Sequence, residues 1–142
     1  MSVQSIMTPN PACCTTSTPL QDVAKLMLDH DCGQIPVVAG DGSLKPIGVV
    51  TDRDIVVRLV AQGTDPSKAT AGDAMSTPCL TVTCDTSLRE CCDVMESSQI
   101  RRVPVVDAKG ELCGIVALAD IALSGQDAKT VEVVKEVSAT AH

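Results

Sequence analysis

The chain contains one short stretch twice: QIPVV at residues 34–38 returns as RVPVV at residues 102–106, 68 positions further along. The same offset relates Met7 to Met75, so the duplication extends beyond the stretch itself. Most solenoid repeats are shorter, at about 20–50 residues per unit. The sequence therefore predicts two copies of a small α+β unit packed face to face, and the space between two related halves is a natural ligand site.

Both copies begin with an extended segment that is followed by a helix. Apolar residues recur there at the helical spacing i, i+3, i+4 and i+7, namely Leu20, Val23, Ala24 and Met27 in the first copy and Leu88, Cys91, Cys92 and Met95 in the second. Thr18 and Gln21 predict a capping box with Pro19 at the first helical position. Gly33 predicts a left-handed cap at the end of this helix.

Two strands and a second helix complete each copy. Short Val-rich runs on either side of turns at Gly42 and Gly110 predict the strands, and the second helix of the first copy is predicted from Thr51 to about Ala61. We assign the domains as repeat 1 at residues 1–62, a polar linker at 63–73, repeat 2 at 74–125, and a tail at 126–142. The tail spaces its valines like a short amphipathic helix over residues 127–137.

Composition excludes several classes of partner. The net charge of −7 argues against a nucleic-acid or anionic-membrane surface. The absence of Phe, Trp and Tyr removes the stacking side chains that commonly grip single-stranded nucleic acid. There is no apolar run long enough to span a membrane, and the N-terminus lacks the basic start and apolar core of a secretory signal. We therefore expect a cytoplasmic protein with no nucleic-acid or membrane partner.

The chain has eight cysteines, and without an export signal we expect them to be reduced and structurally passive. No Cys-x-x-Cys pair occurs, and His30 and His142 are the only histidines, so no zinc-ligand spacing is recognisable and we predict no metal. Several cysteines fall on apolar helix faces, where a free Cys behaves as a small hydrophobe. Cys13 and Cys14 are expected to be the most exposed thiols.

The clearest chemistry lies in the stretch GVVTDRDI at residues 48–55, which reads as a strand, a sharp turn and a helix start. A helix N-terminus offers free N–H groups and partial positive charge, which favour a phosphate. Thr51 can cap the helix or bond a phosphate oxygen, and Asp54 can accept two hydrogen bonds from a ribose diol. The alternative is an ordinary helix cap with an acidic first turn.

The repeat resembles the CBS domain, the regulatory domain of cystathionine β-synthase, and the tandem pair resembles a Bateman module. The resemblance rests on the Met-Thr-x-x-Pro-type openings, the two Pro-Val-Val stretches and the TDRDI motif at residues 51–55. It covers about residues 3–124. The TDRDI motif and QIRRVP at residues 99–104 are similar to small stand-alone bacterial or archaeal CBS-pair proteins.

This resemblance implies two pseudo-symmetric β-α-β-β-α repeats paired through their sheets, with two clefts for adenosyl ligands such as AMP, ADP, ATP, S-adenosylmethionine or NAD. Each site is implied to combine the Thr-x-x-Asp of one repeat with the opening strand and the segment before Pro of the other. Site 1 would contain Thr51, Arg53, Asp54, Cys79, Leu80, Ile100, Arg101, Arg102 and Val103. Site 2 would contain Ala12, Cys13, Cys32, Gly33, Ile35, Ala117 and Asp120. Because Ala117 stands where site 1 has Thr51, site 2 is expected to be weaker or empty.

The leading hypothesis is a non-enzymatic regulatory module that binds an adenosyl ligand, forms a homodimer and acts on an unidentified effector protein. The first rival is a dimeric interaction scaffold with vestigial sites. The second is a thiol redox sensor, which needs a low-pKa cysteine beside a base or cation. No Ser/His/Asp set or Walker loop supports catalysis. The sequence alone does not name the ligand, the effector or the pathway.

Overall fold

The structure is a computed structural model, and it describes residues 1–124. The amphipathic helix expected at residues 127–137 lies outside the described residues. The strands are β1 (Thr8–Pro9), β2 (Cys14–Thr15), β3 (Gln34–Val38), β4 (Pro46–Thr51), β5 (Val82–Thr83), β6 (Arg102–Val106) and β7 (Leu112–Ala117). The α-helices are α1 (Leu20–Asp29), α2 (Asp52–Ile55), α3 (Ala71–Ala74), α4 (Leu88–Ser98) and α5 (Leu118–Leu123).

The described residues form two compact units, and each unit takes its opening segment from the other repeat. The repeat-1 unit comprises Ala12–Cys79, so it includes the opening segment of repeat 2. The repeat-2 unit comprises Met1–Pro11 together with the described residues from Leu80 onward. The sequence boundaries between the repeats and the boundaries between the compact units are therefore different.

The repeat-1 unit is built on a three-stranded sheet in the order β2-β3-β4, with β2 parallel and β4 antiparallel to β3. Gln34 lies opposite Thr51 and Ile35 lies opposite Val50 in this sheet. Residues of the strands and one face of α1 make the core together with residues of the helix after β4 and of the segment around α3. The core contains Cys14, Leu20, Val23, Ile35, Val37, Val50, Leu59, Ala69, Ala71 and Ala74.

The repeat-2 unit has a four-stranded sheet in the order β1-β7-β6-β5. Arg102 lies opposite Ala117, and the opening segment adds β1 to the edge of β7, where Pro9 lies opposite Gly114. The apolar stripe predicted for α4 is confirmed, because its four residues Leu88, Cys91, Cys92 and Met95 are all buried. They share one core with Val3, Val82, Val103, Val105, Val116 and Ile121.

Two glycines at matching repeat positions allow the opening segments to pass close to the sheets. A Cβ added at Gly48 would lie 2.7 Å from the backbone oxygen of Ser76, which no rotamer change can relieve. A Cβ added at Gly114 would overlap the thioether of Met7. The backbones of Val49 and Ser76 are joined by two hydrogen bonds, at 3.0 and 2.8 Å, so the crossing is also an ordered contact.

The start and end of α1 differ from the predicted caps. The predicted capping box at Thr18 is wrong, because α1 begins at Leu20 with Pro19 at the cap position and without a side-chain cap. The hydroxyl of Thr18 instead accepts a hydrogen bond from Thr15 N at 3.0 Å, which closes the turn after β2. The predicted cap at Gly33 is also wrong, because Asp31 takes the left-handed conformation with φ of 49°.

The segment predicted as a polar linker contributes to the core. It contains a 3₁₀ turn at Pro66–Lys68 and the first three residues of helix α3, and it buries Ala69 and Ala71. The amide of Leu20 donates to Ala69 O at 2.9 Å, which fixes the segment against the start of α1.

The second helix of repeat 1 lies where it was predicted, but its hydrogen bonding changes along its length. After α2 the chain continues as a π-helix over Val56–Val60. Leu59 is buried, whereas Val56, Val57 and Val60 are 57%, 43% and 55% exposed. This helix therefore presents an apolar surface to solvent. Within residues 1–124, no helix combines the length and apolarity needed to cross a lipid bilayer.

Candidate functional site

Strand β4 ends at Thr51, and the turn into α2 places Thr51 and Asp54 in direct contact. Thr51 has extended dihedral angles, φ −108° and ψ 161°, so it caps the helix without being part of it. Its hydroxyl accepts from Asp54 N at 3.0 Å, and Asp54 Oδ2 accepts from Thr51 N at 3.0 Å. This is a complete capping box. The helix-cap reading and the ligand reading therefore concern the same atoms.

The second carboxylate oxygen of Asp54 is engaged by two further side chains. Ser76 Oγ donates to Asp54 Oδ1 at 3.0 Å, and Arg58 Nε lies 3.5 Å from the same oxygen. Arg58 also donates from Nη2 to Ser76 Oγ at 3.2 Å. We call Thr51, Asp54, Arg58 and Ser76 the Asp54 cluster. It combines a carboxylate, two hydroxyls and a cation at one helix start.

The exposure of these side chains indicates how they can act. The Asp54 side chain is 15% exposed, whereas that of Arg58 is 52% exposed. A half-exposed ion pair at this distance contributes little to stability, about 0–1 kcal/mol. Arg58 is therefore more significant as an accessible cation beside a helix start than as a structural partner of Asp54.

Sequence reasoning missed Arg58 and Ser76. Arg58 follows Asp54 at the i, i+4 spacing, which places two side chains on one helix face and is a signal that the sequence does carry. Ser76 is different, because it reaches Asp54 across 22 positions through the exchanged opening segment. No local pattern in the sequence predicts that crossing.

The matching turn in repeat 2 keeps the carboxylate and loses the hydroxyl. Asp120 Oδ2 accepts from Ala117 N at 2.9 Å, which reproduces one half of the capping box at Thr51. Ala117 cannot supply the other half because it has no side-chain oxygen. The position four residues after Asp120 is Ser124, so the counterpart of Arg58 is also missing. The two helix starts are therefore chemically unequal.

Within each unit, the segment before the Pro-Val-Val stretch lies beside the helix start of its own repeat. Gly33 O accepts from Asp52 N at 3.0 Å, so the residues assigned to site 2 around Cys32 and Gly33 lie close to Thr51. Arg101 O accepts from Leu118 N at 2.8 Å in the equivalent arrangement. The arginines assigned to site 1 thus lie, within their own unit, beside the helix start of site 2.

The remaining predicted site residues are divided between the units and differ in exposure. Ala12, Cys13 and Cys79 belong to the repeat-1 unit, and Leu80 and Ile100 belong to the repeat-2 unit. Ile35 and Val103 are 1% and 0% exposed and are part of the two cores. Arg53 is exposed on α2, where its amide donates to Asp52 Oδ1 at 2.8 Å.

The thiols of Cys13, Cys14 and Cys79 are uncharged at neutral pH. Burial raises the pKa of Cys13, and burial raises the pKa of Cys79 to about 11. Burial and the neighbouring Cys13 raise the pKa of Cys14 to about 11. Cys14 is only 5% exposed, so the expectation that it is among the most exposed thiols is wrong. These cysteines are suited to apolar contacts.

One buried acceptor near Thr51 has no hydrogen-bond donor. Gln34 lies opposite Thr51 in the sheet, and its side-chain oxygen is buried without a hydrogen-bond partner. A buried acceptor without a donor is costly, at about 1–3 kcal/mol. Within residues 1–124, no group of three or more His, Cys, Asp or Glu side chains is placed to hold a metal ion.

Comparison with known proteins identifies the repeat. The family model of the CBS domain matches residues 3–61 and 71–125. Hypoxic response protein 1 of Mycobacterium tuberculosis is 37% identical over 136 residues, which cover 96% of this chain and 93% of that protein. The uncharacterized protein MK0525 of Methanopyrus kandleri is 39% identical over 100 residues. Those residues are 70% of this chain and half the length of that relative.

One similar enzyme is matched over a small part of its length. A homoserine O-acetyltransferase of Methanocorpusculum labreanum is 30% identical over 124 residues, but they are only 24% of that protein. The match therefore does not assign that enzyme's activity to this chain.

Solved structures of CBS proteins share the fold. Hypoxic response protein I, whose crystal structure has two coordinated zinc ions, is 37% identical with a TM-score of 0.78 over 87% of this chain and 98% of that chain. The CBS domain pair of protein MJ0100, in complex with 5′-methylthioadenosine and S-adenosyl-L-methionine, is 27% identical with a TM-score of 0.76, covering 87% and 94%. PAE2072 of Pyrobaculum aerophilum, complexed with AMP, is 26% identical with a TM-score of 0.77, covering 95% and 99%.

The family match spans both copies of the repeat, and the fold agrees with that of solved CBS pairs. The predicted two-repeat α+β class is therefore confirmed. The chain belongs to the CBS domain family, as a tandem pair of CBS domains.

Proposed function

We propose that this CBS pair is a regulatory module which binds an adenosyl ligand, with the Asp54 cluster as the better of two sites. The observation that carries the proposal is the convergence of Thr51, Asp54, Arg58 and Ser76 at one helix start. Solved CBS pairs that contain AMP, 5′-methylthioadenosine and S-adenosylmethionine support the class of ligand. We further propose that the module is cytoplasmic, has no catalytic activity of its own, and signals to an effector protein.

Each member of the cluster has a chemical role in this proposal. The carboxylate of Asp54 accepts one hydrogen bond from the ribose diol without rearrangement, since an ionised carboxylate has about four acceptor positions and three are engaged in the cluster. A second ribose hydroxyl would have to displace a group that the carboxylate already binds. The Thr51 hydroxyl uses its oxygen in the cap and retains its proton for a phosphate oxygen. Arg58 supplies positive charge to the phosphate, which offsets the repulsion expected from a chain of net charge −7.

The ligand and Ser76 would share one atom of the protein. Ser76 Oγ already donates a hydrogen bond to Asp54 Oδ1 in the structure. A ribose hydroxyl must therefore either bind this oxygen beside the Ser76 hydroxyl or displace that hydroxyl. A displaced Ser76 would loosen the hold of the opening segment on β4. Ligand binding at the Asp54 cluster would therefore alter the contacts of the opening segment of repeat 2.

The strongest competing function is an interaction scaffold without a ligand. The complete capping box favours it, because Thr51 and Asp54 already satisfy each other. The two hypotheses differ in one measurable property. A ligand that binds only the folded chain raises its free energy of unfolding by about 2.7 kcal/mol at a hundredfold excess over its Kd. The stability of a scaffold without a ligand site would not change.

The decisive experiment is a thermal-shift panel of adenosine, AMP, ADP, ATP, S-adenosylmethionine and NAD at millimolar concentration. An extrinsic dye is required because the chain has no Trp, Tyr or Phe. We expect at least one adenosyl ligand to raise the Tm, and guanosine nucleotides to serve as the matched control. No shift with any adenosyl ligand would contradict the proposal and favour the scaffold.

A further inference from the structure

Two cysteines of the repeat-2 unit have their sulfur atoms in contact. Cys84 follows β5, and Cys113 lies in β7, so they flank the central strand β6. Their Sγ atoms are 3.3 Å apart, although the residues are 29 positions apart in sequence. Both residues are half-buried, so a small reagent can reach them, unlike Cys91 and Cys92 in the core.

The contact is held by the surrounding backbone. The Cys84 thiol also lies 3.8 Å from Val106 O at the end of β6, and the backbone of Cys113 accepts a hydrogen bond from Asn10 N at 3.2 Å. A disulfide has an S–S distance of about 2.05 Å, so closure needs the two sulfur atoms to approach each other by little more than 1 Å.

We propose that Cys84 and Cys113 are a reversible dithiol–disulfide pair, oxidised by a low-molecular-weight disulfide of the glutathione class. In the first step, one of the two cysteines attacks the reagent as its thiolate. A mixed disulfide forms, and one reagent thiol leaves. In the second step, the other cysteine attacks the protein sulfur of that mixed disulfide. The second reagent thiol leaves, and the Cys84–Cys113 bond forms. The protein loses two electrons and two protons, and the reagent gains them as two thiols.

The protonation of Cys113 limits its own reactivity. Burial, together with the hydrogen bond to Cys84, raises the pKa of the Cys113 thiol to about 11. Because thiolate is the reactive form, attack by Cys113 is slow at neutral pH, and in a reducing compartment the pair stays reduced. The expectation of reduced cysteines thus describes the resting state, and oxidation describes the response to a sustained excess of disulfide. This inference goes beyond the proposed adenosyl site and does not depend on it.

The test uses the full chain in glutathione buffers of increasing oxidised fraction, followed by alkylation of the remaining thiols and tryptic peptide mapping. We expect a loss of two thiols and a disulfide between the peptides 69–89 and 110–129, which contain Cys84 and Cys113. The first peptide also contains Cys79, so Cys79→Ser is the matched control and must still give the link.

Oxidation should raise the Tm by roughly 5 °C or more, because the bond closes a loop of about 30 residues.

Cys84→Ser and Cys113→Ser should each abolish the link and the rise in Tm, while leaving the thermal shift by adenosyl ligands intact. If either variant fails to fold, fragmentation of the linked wild-type peptides still locates the bond. A link that persists in Cys84→Ser, a stable mixed disulfide with glutathione, or no link in oxidised glutathione would each overturn the proposal.

Discussion

Single residues of the Asp54 cluster have two tasks in our proposal, since the atoms that cap α2 are also the atoms that a ligand would bind. Thr51 and Asp54 bond each other through side chain and backbone. A substitution there changes stability and affinity together, so binding must be compared between variants that are folded at the temperature of the assay. Asp120 provides a natural control, because it repeats the cap bond in a setting without Thr, Arg or the crossing serine.

Asp54→Ala is expected to weaken binding of the tight adenosyl ligand roughly ten- to a hundredfold, because it removes charge-assisted hydrogen bonds to ribose that are worth about 1.5–3 kcal/mol. Asp120→Ala should leave this event nearly unchanged. Isothermal titration calorimetry on both variants tests the assignment. Loss of tight binding in Asp120→Ala alone would show that the two sites have been assigned in the wrong order.

Thr51→Ala is expected to weaken the binding of phosphorylated ligands more than that of adenosine, because in our proposal the hydroxyl proton faces phosphate rather than ribose. It should also cost about 1 kcal/mol of stability as a lost helix cap. Thr51→Ser retains the hydroxyl and is the matched control for both effects. Equal losses of affinity for AMP and adenosine, measured by calorimetry, would exclude the phosphate role.

At the scale of elements, the sequence predicted what is local and missed what depends on a distant partner. The stripe on α4 follows from helical periodicity, and the strands around Val37 and Val105 follow from short Val-rich runs bounded by turns. The structure confirms both. The cap at Thr18 failed because that hydroxyl closes a turn with β2 instead. Ser76 was missed because its position beside Asp54 depends on an opening segment crossing to the other repeat, which no window of sequence contains.

Gly48→Ala is expected to destabilise the fold by roughly 1–3 kcal/mol, because its Cβ would meet the Ser76 backbone and force the crossing segment away. Gly33→Ala is the matched control. Its Cβ would lie 2.9 Å from the carboxylate of Asp52, which is the movable end of a side chain. Chemical denaturation should therefore show a clear loss of stability for the first variant and a small change for the second.

At the scale of the whole molecule, the exposed apolar surface after α2 requires an explanation. Val56 and Val60 lie one helical turn apart and are more than half exposed, which is unfavourable in a monomer that is free in water. The resemblance to CBS pairs implies a homodimer, and we expect this surface to form its interface. The homodimer remains a prediction.

Val60→Glu is expected to convert the dimer to a monomer at micromolar concentration, because a charge would be buried without a partner at the interface. Leu44→Glu, in the turn between β3 and β4, changes a residue of similar exposure away from this helix and should leave the dimer intact. Light scattering measures both. A wild-type monomer at that concentration would reject the homodimer itself.

The exchanged opening segments also bear on the ancestry of the chain. A gene cut between the repeats would give a first product that carries Met1–Pro11 without the β7 edge it pairs with, and a second product that carries Ser76 without β4. Each product alone would leave an unpaired strand edge, and the two could recover their pairing only by associating. A single-repeat ancestor would then have needed to dimerise before duplication joined the two repeats in one chain. By the same reasoning, co-expressed halves of this protein should associate.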